Sequence, residues 1–334
     1  MSKSTFLVYL RLLRIQGAGA TAAAAIIPAL IMGQHDLFLL SIIVIVGVMC
    51  HIFTAVHNEY LDIKVDEKSK DLKEKPLVSG AIPKRYALYI SIAVIFMAYA
   101  LTLVFFFSIY PLIFLTIALF LGGLYNSVGK KVPEFGMILG ASCMFFSLYG
   151  ASTISIQFNN LVYLAAFAIF IHIMFNTTVD GGLKDVDHDF LAGAKTTATR
   201  LGVKVINKKI KVTKKFTVYA YGLKFIYIAL VLLVGFQKQV NLWGSELYLT
   251  QLLCIFLLIG ILFTLYRFWH PPDFNRPKLI RIFAVHELAS YVVAPIVISP
   301  LFGLRNTLIL IFLPIVWFFI VNVIVYGKPM QPDV

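Results

Sequence analysis

Ten stretches of about 20 mostly apolar residues dominate this sequence, and each is long enough to cross a bilayer as a helix. They lie at about 15–33, 37–57, 86–107, 110–126, 137–156, 160–179, 217–236, 247–266, 283–304 and 307–326. Composition agrees: 60% of the 334 residues are hydrophobic and only 13% are charged. Soluble domains run near 45–50% apolar and about 25% charged. A soluble chain this apolar could not cover its own surface with polar groups, and disorder requires low hydrophobicity. The expectation is an all-α, polytopic membrane bundle of nine or ten transmembrane helices in a single domain over 1–334. The ninth run is the weakest, because His286 and Glu287 stand near its start. Short gaps at 33–36, 108–110, 157–159 and 303–306 pair neighbouring helices into hairpins.

The few charges are unevenly placed. Lys and Arg number 29 against 16 acids, a net charge of +13. In a soluble protein that excess would suggest nucleic acid. Here 26 of the 29 cations fall in the termini and in the loops after even-numbered spans, and only Lys238 and Arg305 fall opposite, with Lys224 inside span seven. Such a split is the positive-inside signature. It predicts cytoplasmic termini, cytoplasmic large loops, residence in the cell membrane and no nucleic-acid partner. Cys50, Cys143 and Cys254 are scattered through apolar runs and read as small core side chains. The small residues of Gly17–Ala25 would let neighbouring helices approach span one closely.

Most acids gather in two of those loops. In the first, Asn58, Asp62 and Asp66 recur at i, i+4 and i+8, which on a helix makes one stripe at the mouth of span two. Carboxylates stacked this way repel unless a cation sits among them. Oxygen-only ligands suit a hard divalent ion such as Mg²⁺, which keeps waters and binds phosphates. In the second, Asp185 and Asp189 again stand at i, i+4, at the end of span six. The matching positions suggest a weak internal repeat, with halves at about 1–136 and 137–266 and C-terminal helices at 283–326. Two such clusters facing each other could hold a pair of Mg²⁺ ions on one diphosphate. A solvated charged loop is the bland alternative for either cluster alone; two in matching positions weigh against it.

The same residues resemble the signatures of the UbiA superfamily of intramembrane prenyltransferases. Asn58-x3-Asp62-x3-Asp66 resembles the first signature, Lys75-Pro76-Leu77-Val78-Ser79-Gly80 the basic-Pro element after it, and Asp185-x3-Asp189-x3-Gly193-x2-Thr196-Thr197-Ala198 the second. Three features depart from the family's pattern: Glu59 follows the Asn where Asp is usual, Lys75 stands where Arg is commoner, and ten runs replace the usual nine helices. Asn176-x3-Asp180 is a competing frame for the second motif, set aside because only the Asp185 frame places Gly193 and Thr197 correctly.

The resemblance implies Mg²⁺ held by Asn58, Asp62, Asp66, Asp185 and Asp189. It implies a polyprenyl diphosphate donor, an allylic cation, and a lipophilic acceptor, either an archaeal-type glycerophosphate lipid or an aromatic quinone precursor. Lys75, Lys184 and Lys195 are the diphosphate-contact candidates, against the plainer reading of each as a positive-inside lysine. Thr196 and Thr197 are alternatively helix caps. Tyr125 reads as packing or as a cation-facing aromatic. Lys224, His286 and Glu287, ionisable groups within spans, read as functional candidates or, more plainly, as snorkelling residues near cytoplasmic helix ends, and His51 and His172 as packed or interhelically bonded. The rival reading is a transporter for a cation or phosphorylated compound gated by the same carboxylates, although transporters usually set charges near the midplane on broken helices.

Overall fold

In the computed structural model, the described residues are 3–67, 73–191, 193–206, 209–269 and 275–329. They form α1 (Lys3–Leu13), α2 (Ala18–Ile31), α3 (Leu37–Asp66), α4 (Lys84–Phe106), α5 (Ile109–Val128), α6 (Phe135–Ser152), α7 (Asn160–Phe175), α8 (Gly181–Lys184), α9 (Val186–Leu191) and α10 (Thr197–Arg200). A short antiparallel hairpin follows, β1 (Lys204–Ile206) with β2 (Lys209–Lys211), then α11 (Lys214–Phe236), α12 (Tyr248–Trp269), α13 (Arg276–Val297) and α14 (Ser299–Tyr326). Among the described residues nine helices are long and apolar enough to span, and the bent pair Thr5–Leu13 and Ile15–Ile31 makes a tenth if taken as one span. Large apolar side chains remain open on the spans, such as Phe96, Phe256 and Leu249. Lipid accepts such surface where water would not. The protein is an all-α integral membrane protein.

The chain divides into two compact units. The first holds Met1–Ser127, Phe145–Phe158 and Phe312–Gln331; the second holds Val128–Met144 and Asn159–Ile311. In the first, Ile43, Val46, Leu115 and Tyr149 centre a buried core that also takes in Ala25 and Ala29. Span one's small residues do the work expected of them. A Cβ on Gly47 would lie 2.7 Å from the Ala22 backbone, and one on Gly150 would enter the backbone of Ala25. The break between α1 and α2 falls at Arg14, whose φ of 46° is left-handed. His51 holds that break: Nε2 donates to the Arg14 carbonyl (2.8 Å), which leaves Nδ1 to accept from the Thr21 hydroxyl (3.0 Å). The interhelical hydrogen bond expected of His51 is therefore present.

In the second unit α11 packs on α7 and α12 on α13. Side chains cap three of its long helices: Asn159 accepts from the Val162 amide (3.0 Å), Thr213 from that of Phe216 (3.2 Å) and Asn275 from that of Lys278 (3.1 Å). The Asn275 cap moves the start of span nine. Hydropathy places it at 283, because Lys278, Arg281, His286 and Glu287 dilute the apolar run; the cap and the proline in the first turn start α13 at Arg276. The chain turns at Ile298 and breaks again at Gly303 (φ 73°, ψ 165°), inside the gap read from sequence.

Candidate functional site

The first acidic stripe is helical to its end. α3 continues through Asp66, so Asn58, Asp62 and Asp66 share one helix face as their spacing requires. Asn58 and Asp62 are half-buried and Asp66 is buried. Lys75, from the Lys-Pro element, places Nζ 2.7 Å from the Asp66 carboxylate and 3.8 Å from Glu59. Glu59 is buried and takes a second cation, the Arg14 guanidinium at 2.6 Å. A chain of alternating charge thus runs Arg14, Glu59, Lys75, Asp66. It ties the α1–α2 break to the acidic stripe. Sequence reading assigned Arg14 to the positive-inside count and Lys75 to the diphosphate; the structure gives both a carboxylate partner. A cavity of about 220 Å³ lies beside the stripe, lined by Arg14, His51, Thr54, Ala55, Asn58, Tyr125 and Asn126. Asn126 fixes its wall, donating to the Thr54 carbonyl (2.9 Å) and contacting His57 Nδ1 (3.2 Å).

The second stripe has a different local basis. α7 passes through a π-helical turn at Asn176–Asp180 into α8, so that Asn160–Lys184 is one continuous span. Asp185 closes α8 with its amide on the Gly181 carbonyl (3.3 Å), and the Asp189 amide bonds the Asp185 carbonyl (2.8 Å). The two aspartates therefore stand one turn apart, as i, i+4 predicts. Gly193 ends α9 at φ 67°, and the Ala194 amide reaches back to the Asp189 carbonyl (2.9 Å). That left-handed stop is the structural use of the motif's glycine. Thr196 caps α10 by accepting from the Thr199 amide (3.4 Å), and Thr197 donates to the Pro133 carbonyl (2.6 Å). The capping alternative for Thr196 is the one realised. Lys184 is half-buried and Lys195 exposed.

Among the described residues no three His, Cys, Asp or Glu side chains converge closely enough to hold a metal ion. The donor chemistry still fits Mg²⁺. Each stripe offers only oxygens, two carboxylates apiece plus the Asn58 amide. Such partial shells suit an ion that keeps waters and completes itself with phosphate oxygens.

A third polar group departs from the plainer of its two sequence readings. Lys224 and His286 do not snorkel, and Glu287 turns its carboxylate inward. Lys224 and His286 are fully buried, midway along α11 and α13. Lys224 Nζ sits 3.8 Å from the Phe175 ring centroid and 3.4 Å from the Ser290 hydroxyl. Glu287 accepts from Asn176 Nδ2 (2.6 Å) and lies 3.4 Å from His172 Nε2. Asp180, also buried, faces Glu287 and Lys224. The rejected frame of Asn176 and Asp180 thus points into this cluster. The available signal was the four-residue rhythm of His172, Asn176 and Asp180 along one apolar span.

Several known proteins are similar to this chain. The model of the UbiA prenyltransferase family matches residues 18–285. The 4-hydroxybenzoate octaprenyltransferase of Pasteurella multocida is 26% identical over 236 residues, 67% of this chain and 73% of that protein. The digeranylgeranylglyceryl phosphate synthase of Pyrococcus furiosus is 30% identical over 150 residues, 44% of this chain and 51% of that protein. Two solved structures share the fold. A UbiA homologue from Archaeoglobus fulgidus bound to GPP and Mg²⁺ has a TM-score of 0.63 at 18% identity, covering 87% of this chain and 99% of its own. An apo UbiA homologue from Aeropyrum pernix K1 has a TM-score of 0.64 at 16% identity, covering 86% and 99%.

Proposed function

This chain belongs to the UbiA prenyltransferase family, and from that premise we propose that it carries out Mg²⁺-dependent transfer of an isoprenyl group from a polyprenyl diphosphate to a lipophilic acceptor, at the cytoplasmic face of the membrane. The observation that carries this reading is the pair of oxygen-only aspartate stripes, each on a helical turn at the end of a membrane span. Family membership makes the protein an enzyme and sets the transporter reading aside.

Asn58, Asp62 and Asp66 would hold one ion, and Asp185 and Asp189 another. Bound Mg²⁺ supplies charge neutralisation for the leaving diphosphate. Lys75 pairs with Asp66 when no ligand is bound and turns to the diphosphate when the donor arrives; Lys184 and Lys195 add positive charge near the second stripe. Tyr125 lines the same cavity as Asn58, a position from which its ring can stabilise an allylic cation. The surrounding apolar helices keep water from that cation. The 26 cations on one side support cytoplasmic termini and loops. The acceptor is of the class used by the two named relatives, an aromatic quinone precursor or a glycerophosphate lipid. The test is purified protein with Mg²⁺, labelled geranylgeranyl diphosphate, and either 4-hydroxybenzoate or a geranylgeranyl glyceryl phosphate. A labelled, extended acceptor with stoichiometric pyrophosphate is expected from one of them. Product from neither, with intact donor recovered, contradicts the reading.

A further inference from the structure

The cluster around Asp180 is expensive where it stands. Ionisable side chains inside a bilayer are costly and usually mark function, and buried polar atoms are normally paired. Here several are not. Both Asp180 carboxylate oxygens, Glu287 Oε1, Asn176 Oδ1, His172 Nδ1 and His286 Nε2 are buried without a hydrogen-bond partner, apart from the approach of Asp180 to the Glu287 carboxyl itself. Four of the six are carboxyl or amide oxygens, and the approach of Asp180 to Glu287 sets one shared proton between the two carboxyls. The donors nearby are already engaged: Asn176 Nδ2 on Glu287, Lys224 on Ser290 and the Phe175 face, and the Thr264 hydroxyl against His286 Nδ1 (2.8 Å). The cluster therefore holds more buried acceptor oxygens than donors placed to meet them. A metal does not answer the shortage, since no suitable trio exists among the described residues.

Position adds a second indication. The cluster is built on the π-helical turn Asn176–Asp180, a feature frequent at functional sites. That turn feeds directly into the second aspartate stripe. Asp180 precedes Asp185 by five residues, so its backbone lies about 7 Å further into the span. The Glu287 side chain keeps 32% of its surface open, so the edge of the cluster is exposed while its unpartnered oxygens are buried.

We propose that Asp180 and Glu287 form the docking and proton-accepting site for a hydroxyl group of the acceptor, alcohol or phenol. This rests on the prenyl-transfer reading and extends it to the second substrate. The acceptor O–H donates to the ionised member of the Asp180–Glu287 pair. The bond from the isoprenyl C1 to the diphosphate oxygen breaks, and its electron pair leaves with the diphosphate. With an alcohol the acceptor oxygen bonds C1 and its proton passes to the carboxylate pair; with a phenol the ring carbon ortho to the hydroxyl bonds C1 as the hydroxyl proton passes to the pair, and the dienone so formed moves its ring proton to the oxygen to restore the aromatic ring. Lys224 and the proton shared between Asp180 and Glu287 let the two carboxyls face each other. An acceptor that brought its own carboxylate to this spot would meet a like charge, so the site selects a neutral hydroxyl; an anionic group of the acceptor must lie elsewhere.

The test uses the full-length protein with Mg²⁺, geranylgeranyl diphosphate, and 4-hydroxybenzoate or the glyceryl phosphate ether as acceptor. Asp180→Asn and Glu287→Gln keep size and packing. Each should slow transfer by about 100-fold or more, the usual range for removing a general base, while Mg²⁺-dependent donor binding stays within about 3-fold. The apparent KM for acceptor should rise while that for donor holds, a split that lost packing alone would not produce. Transfer within about 3-fold of wild type in both variants overturns the proposal, as does equal loss of donor binding and transfer, which makes the cluster structural. Asp62→Ala separates this from the underlying reading: if it transfers normally, the metal-dependent mechanism fails; if it is inactive while Asp180→Asn is active, only the proton-accepting site fails.

Discussion

Replacing Lys75 with methionine isolates the ion pair that occupies the first aspartate stripe. The side chain keeps its length and loses its charge, which removes the 2.7 Å contact to Asp66 and the 3.8 Å contact to Glu59. At an effective dielectric of about 20, a unit pair at 2.7 Å attracts by about 6 kcal/mol before desolvation is counted. Stripping one partner from a buried pair costs about 3–5 kcal/mol, and from an exposed one about 0–1. Asp66 and Lys75 lie between these limits, their side chains 10% and 21% exposed. Glu59 also keeps Arg14. A loss of about 2 kcal/mol follows. The proposed mechanism makes this loss conditional. With Mg²⁺ and donor present, Asp66 would gain a second source of positive charge, and the deficit should shrink by at least half. Denaturant titration in detergent, with and without saturating Mg²⁺ and geranylgeranyl diphosphate, reads both numbers. Lys75→Arg is the control and should keep most of the apo stability. Wild-type stability of Lys75→Met without ligand would refute the pairing. An equal loss in both conditions would refute that second source of charge.

Other perturbations test neighbouring parts. Arg14→Met leaves Glu59 buried with only the longer Lys75 contact and should cost about 3 kcal/mol; the double variant with Glu59→Gln should recover part of that loss in the same titration. Gly150→Ala drives a methyl into the Ala25 backbone and should destabilise by about 1–3 kcal/mol, whereas Ala substitution at Gly222, which has open space, should be neutral or stabilising. Asn126→Leu leaves the Thr54 carbonyl and His57 without their partner and should cost about 1–3 kcal/mol, seen as a lower denaturation midpoint.

The membrane spans were legible because hydrophobic length is a one-dimensional property. Nine or ten helices follow from counting apolar residues, and the i, i+4 rhythm of Asn58, Asp62 and Asp66 needed only the helix to persist past the membrane edge, as α3 does. The start of α13 was not legible from hydropathy, because four polar residues dilute its first turns; the Asn275 cap set it. The roles of Arg14, Glu59 and Lys75 were hidden for another reason. A lysine beside a membrane reads as a topological signal until tertiary structure brings a carboxylate to it. Lys224, His286 and Glu287 show the same limit more sharply: their burial depends on α7, α11 and α13 meeting, which no single stretch of sequence encodes. Asn176 and Asp180 could have been noticed through their four-residue spacing from His172, but that frame lost to the one that also explained Gly193 and Thr197.

The most direct test of the account is the Mg²⁺ dependence of prenyl transfer in Asp62→Ala and Asp189→Ala. Each removes one carboxylate from a different stripe, Asp62 half-buried and Asp189 buried, and neither removes an apolar core side chain. With labelled geranylgeranyl diphosphate and an accepted acceptor, wild type should release pyrophosphate only when Mg²⁺ is present. Both variants should lose transfer by at least about 1,000-fold, as expected when metal-assisted ionisation is disabled, while keeping wild-type melting in the absence of ligand. Normal turnover by both variants, or wild-type transfer undiminished by chelation, would contradict it.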